Sequence, residues 1–105
     1  MTTQDRKIAK ELKNKLSETI HLLDFRVFGS RVRGDADEYS DMDVFIEVES
    51  IDKELNEKIF EIAWEIGFKY FIVISTLIFT RDELKNSPLR SSPIVKNIGR
   101  EGVIV

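Results

Sequence analysis

A chain of 105 residues, 42% hydrophobic and 10% aromatic, carries enough apolar material for one modest core and predicts a single domain over 1–105. It has no cysteine, so it holds no disulfide framework and no thiolate metal site, which fits a reducing cytosol. A net charge of −3 without a basic block argues against non-specific nucleic-acid binding, no apolar run is long and dry enough to span a bilayer, and the opening MTTQDRKIAK has no apolar signal core.

Ile8, Leu12, Leu16 and Ile20 recur every four residues among Lys and Glu and predict a helix over 4–20. Asp24 to Phe28 alternates and is rich in β-formers, so a short strand follows. Gly29-Ser30 breaks that pattern, and Ser30 reads as the N-cap of a helical turn through Arg33. Residues 34–40 are polar loop, and Asp41 to Val48 predicts a second strand. Leu55, Ile59, Ile62 and Ile66 make one stripe of a helix over 52–66, with Gly67 just past its end. Residues 70–79 predict a buried strand with Phe71, Ile72, Val73 and Ile74 in the core. Thr80 and Glu83 form a capping-box pattern at the head of a short helix, Pro88 and Pro93 punctuate the stretch beyond, and 102–105 reads as a last short strand. The order is alternately helical and extended, so the fold is mixed, α/β or α+β, around a small sheet.

Two stretches carry chemistry. Gly29 lets the backbone turn sharply after a strand and lets another group come close. Ser30 then opens a helix, whose free N–H groups attract phosphate, with Arg31 and Arg33 adding cations. The same residues also read as an ordinary strand-to-helix turn with a serine cap. Asp41 and Asp43 point to one side of their strand, about 7 Å apart. Their repulsion is offset by a divalent cation such as Mg²⁺, which takes one or two carboxylates plus substrate phosphates and waters. They also read as two acids on a wet strand start. Ser40, just before them, is placed to cap the loop or to touch a phosphate. If the two strands are neighbours, phosphate and metal meet at one edge of the sheet, as metal-assisted nucleotidyl transfer requires.

Phe28-Gly29-Ser30 followed by Asp41-Met42-Asp43-Val44 resembles the signature of the DNA polymerase β-type nucleotidyltransferase superfamily, an apolar-Gly-[Gly/Ser] turn before an alternating acid pair. The GSRxRG and SDxDV forms, with the tail Asn97 to Val103, are similar to the minimal nucleotidyltransferase group. The resemblance implies an α+β fold, a small mixed β-sheet flanked by helices. It implies that Gly29, Ser30, Arg31, Arg33 and Ser40 bind nucleotide and that Asp41 and Asp43 are catalytic and hold Mg²⁺. It further implies transfer of AMP from ATP to a tyrosine of a HEPN-domain RNase toxin, with this chain as the antitoxin. The superfamily pattern has a third acid on a later strand, but 70–79 contains no Asp or Glu, and Ser75 or Thr76 stands about where the acid is expected. Three outcomes stay open: slow transfer by two acids, an acid borrowed from a partner, or a binding-only antitoxin. A small-molecule nucleotidyltransferase ranks last, since the chain has no room for a second domain to hold the acceptor. An exposed sheet edge would suit a homodimer or a hetero-oligomer. His21 reads as a helix C-terminal charge, Trp64 as partly buried core, and Tyr39 as a loop tyrosine open to stacking or modification.

Overall fold

A computed structural model describes residues 1–105. Its elements run α1 (Thr3–Ser17), β1 (Asp24–Phe28), α2 (Ser30–Arg33), β2 (Met42–Val48), α3 (Lys53–Tyr70), β3 (Ile74–Thr80), α4 (Arg81–Asn86), a 3₁₀ turn (Pro88–Ser91), α5 (Pro93–Glu101) and β4 (Val103–Ile104). The four strands form one mixed sheet in the order β3-β2-β1-β4. β1 is antiparallel to both β2 and β4, and β2 is parallel to β3. The fold is α+β, as expected.

The period-2 alternation of β1 and β2 gives the sheet two unlike faces. Phe25, Val27, Met42, Val44, Ile46 and Val48 turn to one face and meet Ile8, Leu12 and Leu16 of α1 and Ile59, Ile62 and Ile66 of α3. This is the main core, and enclosing each such side chain contributes about 1.5–3 kcal/mol. The opposite face holds a smaller cluster, in which Phe45, Phe79 and Ile98 are buried and Phe28, Leu77, Leu84 and Val95 lean on them. The Phe45 and Phe79 rings lie 5.8 Å apart. α4 and α5 close this second face.

Several boundaries depart from the sequence expectation. α1 stops at Ser17, and Ile20 is buried by a turn in which its N–H donates to the Leu16 carbonyl. His21 therefore lies beyond the helix, exposed in the turn before β1. α3 does not end before Gly67. It runs to Tyr70, and Gly67 is buried within it because the chain folds back over the helix there: a Cβ would stand 2.6 Å from the Ile72 carbonyl oxygen. The stop is Phe71, in the left-handed region at φ 57°, with the Ile72 N–H returning to the Gly67 carbonyl at 2.9 Å. β3 consequently begins at Ile74, and Phe71 and Val73 are exposed turn residues rather than core. Trp64 is 60% exposed and stacks on Phe68, outside the core. α5 is an added helix: Pro93 sits in its first turn, where a missing N–H costs nothing, so the proline starts the helix instead of breaking it. The capping box of Thr80 and Glu83 at α4 is as expected.

Candidate active site

The site grows from the β1–α2 turn. Gly29 adopts φ 83°, ψ −157°, a conformation open to glycine and strained for any residue with a Cβ. The conformation serves a close approach: a Cβ on Gly29 would fall on Asp43 Oδ2 and stand 3.2 Å from Asp43 Cγ. The Asp43 carboxyl thus lies against bare backbone. Gly29, not Ser30, occupies the capping position of α2, and no side chain caps the helix. The Ser30 cap is therefore overturned. Ser30 is the first helical residue, and its hydroxyl is not spent on the helix end.

Asp41 is exposed one residue ahead of the β2 ladder, and Asp43 is half-buried inside it. The ladder sets Asp43 opposite Phe28 on β1 and opposite Ser75 on β3. Paired residues share a face, so Asp43 and Ser75 stand together at the rim of the small aromatic cluster. Ser75 is the residue that stands where a third carboxylate would neighbour Asp43. Burial pushes the Asp43 carboxyl above its usual range, the Asp41 charge pushes it further, and the Arg33 charge pulls it back. Those influences place Asp41, Asp43 and Arg33 within electrostatic reach of one another. Glu47, farther along the same face, is ion-paired with Arg81 at 3.4 Å and belongs to the other end of the strand.

Arg31 goes inward. Its Nη1 donates to Asp5 Oδ1 at 2.7 Å, while Nε and Nη2 donate to the Ser40 carbonyl at 3.1 and 2.6 Å. The guanidinium thereby ties α1 to the residue just before Asp41. Asp5 was not visible as a site residue in the sequence, although a Thr2–Asp5 capping box marks it as an ordered first-turn acid. Arg33 stays exposed, 3.4 Å from Asp35 Oδ2. The Ser40 hydroxyl donates to Asp37 Oδ1 at 3.2 Å and accepts from the Asp37 N–H at 3.1 Å, so it pins the loop. The structure brings Gly29, Ser30, Arg33, Asp41 and Asp43 to one edge and sets Arg31 and Ser40 behind them.

The donor set suits a hard cation. Two carboxylates on one edge repel, and one of them already resists ionisation. No cluster of three or more metal-ligating side chains exists anywhere in the chain. Two carboxylates completed by phosphate oxygens and waters are an ordinary Mg²⁺ environment. No helix is long and apolar enough to cross a membrane.

Known proteins share this sequence pattern and fold. The nucleotidyltransferase-domain family model matches residues 5–100. A Methanocaldococcus jannaschii protein, named as a candidate protein adenylyltransferase, is 40% identical over 88 residues, covering 75% of this chain and 82% of its own. The structure of a candidate minimal nucleotidyltransferase superposes with a TM-score of 0.60 at 20% identity, covering 95% of this chain and 91% of that one. A candidate nucleotidyltransferase from Sulfolobus solfataricus superposes at 0.52 with 21% identity, covering 93% and 76%. Family members generally work with divalent cations. A match that spans nearly the whole chain, on a glycine turn set against the Asp43 carboxyl, leaves one assignment: the chain belongs to the nucleotidyltransferase family, as a transferase with the fold of its minimal members.

Proposed function

We propose that this nucleotidyltransferase moves AMP from ATP to a protein hydroxyl, with Mg²⁺ as cofactor, and serves as the antitoxin of a HEPN-domain toxin. The observation that carries the transfer chemistry is the seating of the Asp43 carboxyl against the Gly29 backbone beside Asp41. It joins a phosphate-binding turn and a cation-binding pair in one place. The family resemblance supports the partner, and the name of the archaeal relative supports a protein acceptor.

The Ser30 hydroxyl and the first N–H groups of α2 hold the triphosphate, and Arg33 offsets its charge. Asp41 and Asp43 would hold Mg²⁺, which when bound would offset the negative charge that develops during transfer. An acceptor hydroxyl forms its bond to the α-phosphorus as the bond to the bridging oxygen breaks and pyrophosphate leaves. Asp43 takes the hydroxyl proton. Arg31 serves through Ser40, holding the loop that delivers Asp41.

The test is label transfer from ATP marked at the α-phosphate to a HEPN protein, with Mg²⁺. Label on the partner that falls at least a hundredfold in Asp43→Asn is the expected result. One observation favours a second reading, namely Ser75 in the third-acid position. A partner bound and silenced without label, equally by wild type and by Asp41→Asn/Asp43→Asn, would establish an antitoxin that acts by contact alone.

A further inference from the structure

α3 carries two apolar stripes. One is spent on the core. The other, Phe60, Trp64 and Phe68 at four-residue spacing, faces outward and continues through Phe71 and Val73 to Tyr39 of the loop that ends at Asp41. These six side chains are each 60–90% exposed. They border a groove of about 490 Å³. At about 200 Å² per aromatic side chain they leave roughly 700–900 Å² uncovered. The largest apolar patch of a typical monomer is about 300–600 Å², whereas one side of a standard protein interface buries about 800 Å².

Phe71 sharpens the point. It holds a left-handed conformation at the helix end, where glycine is the natural residue, yet it is 90% exposed. Nothing within this chain repays an aromatic ring there. The one charged residue that lines the groove is acidic, Glu38, and Glu57 lines the neighbouring hollow beside Phe60. Neither is in an ion pair. Two copies meeting through this face would bring these acids together with no cation in the groove to offset them, which disfavours self-association. The patch also adjoins the site. The Val73 carbonyl accepts from the Met42 N–H at 2.9 Å, between Asp41 and Asp43.

We propose that this face docks the acceptor protein, through an apolar segment flanked by Lys or Arg, and so brings the acceptor hydroxyl to Asp43. The proposal rests on the protein-acceptor reading above. Trp64 is the only tryptophan, so its emission reports the face directly. The probe is a synthetic amphipathic helix with a leucine stripe and lysine flanks. Its counterpart has glutamate flanks. The lysine peptide is expected to shift Trp64 emission saturably and to weaken with salt, with at least tenfold lower affinity for the glutamate peptide. Phe71→Gly relieves the backbone, so it is expected to melt higher than wild type while binding the lysine peptide at least tenfold more weakly. Phe60→Ser should weaken binding similarly. Nucleotide binding, followed separately with Mg²⁺ and ATP, should survive Phe71→Gly and fail in Asp43→Asn, whereas peptide binding should survive Asp43→Asn. Equal affinity for both peptides would overturn the proposal, as would unchanged binding in Phe71→Gly. A sedimenting dimer that Phe71→Gly dissociates would assign the face to a second copy instead. Nucleotide binding that persists in Asp43→Asn would count against the site reading, while the peptide results would still decide docking.

Discussion

Replacing Asp5 with alanine tests whether a side chain on α1 controls the approach to Asp41. The Asp5 and Arg31 side chains are 7% and 9% exposed and meet at 2.7 Å. Removing one partner of a buried pair leaves an uncompensated charge and costs about 3–5 kcal/mol. Asp5 also accepts from the Thr2 N–H at 3.3 Å in the α1 capping box, which adds up to about 1 kcal/mol. A domain of this size has about 5–15 kcal/mol in total. At a urea slope of about 1.5 kcal/mol per molar, the midpoint should fall by roughly 2–4 M with the slope unchanged. Circular dichroism in urea reads this. Asp5→Ala/Arg31→Met removes both charges but deprives the Ser40 carbonyl of two donors, so it should stand about 1–3 kcal/mol below wild type. It should still be more stable than Asp5→Ala alone. A single-variant shift under about 0.5 M, or a double variant worse than the single, would refute the assignment of this pair as a buried tie.

Three further outcomes follow from the site. Gly29→Ala puts a Cβ onto the Asp43 carboxylate and into a strained backbone region worth about 1–3 kcal/mol. It should lower the urea midpoint and reduce label transfer at least a hundredfold, and wild-type transfer would show that Asp43 does not need its seat. Ser75→Asp sets a carboxylate opposite Asp43 and should tighten Mg²⁺ binding and raise transfer tenfold or more. Unchanged titration calorimetry would remove β3 from the metal site. Because the Asp43 carboxyl is raised in the folded chain, its ionisation opposes folding. The favourable contribution of its protonated form is complete below the unfolded value of about 3.9 and is lost as pH rises through the folded value. Metal-free Asp43→Asn should therefore melt above wild type at pH 7, and that advantage should vanish near pH 3 by calorimetry.

Much of the architecture was legible because local signals agreed. β1 and α2 lie where alternation and the Gly-Ser break put them, and the Thr80–Glu83 box opens α4. Failures share a cause: one residue type answers two physical needs. Glycine ends helices, but Gly67 is there because Ile72 crosses above it. Proline breaks helices, but Pro93 begins one. α3 offers two apolar stripes, and sequence alone does not say that the isoleucines go inward and the aromatics outward. The Asp5–Arg31 tie joins residues 26 apart and leaves no periodic trace. Within the site, the glycine turn and the aspartate pair were readable as types with a spacing. That Ser30 leaves capping to Gly29, and that Arg31 turns inward, required the fold.

The costs in this chain are not spread evenly. Gly29 holds a conformation closed to other residues, Asp43 resists ionisation, and Phe71 places an aromatic ring on a left-handed residue in water. The core end of the sheet shows no such conflicts. Glu47 finds Arg81, and no buried side-chain polar atom goes without a partner. Gly29 itself, lacking a Cβ, is unstrained; the conflicts at Asp43 and Phe71 lie at one end of the sheet, where the Met42 N–H donates to the Val73 carbonyl between the aspartates and the aromatic turn. Local rules are broken where function demands it and are kept elsewhere. Under the proposed function the aspartate edge and the aromatic face form one working end. A cation with nucleotide at the first should stabilise the protein by offsetting the charge of Asp41 beside Asp43, and an apolar ligand at the second by covering Phe71.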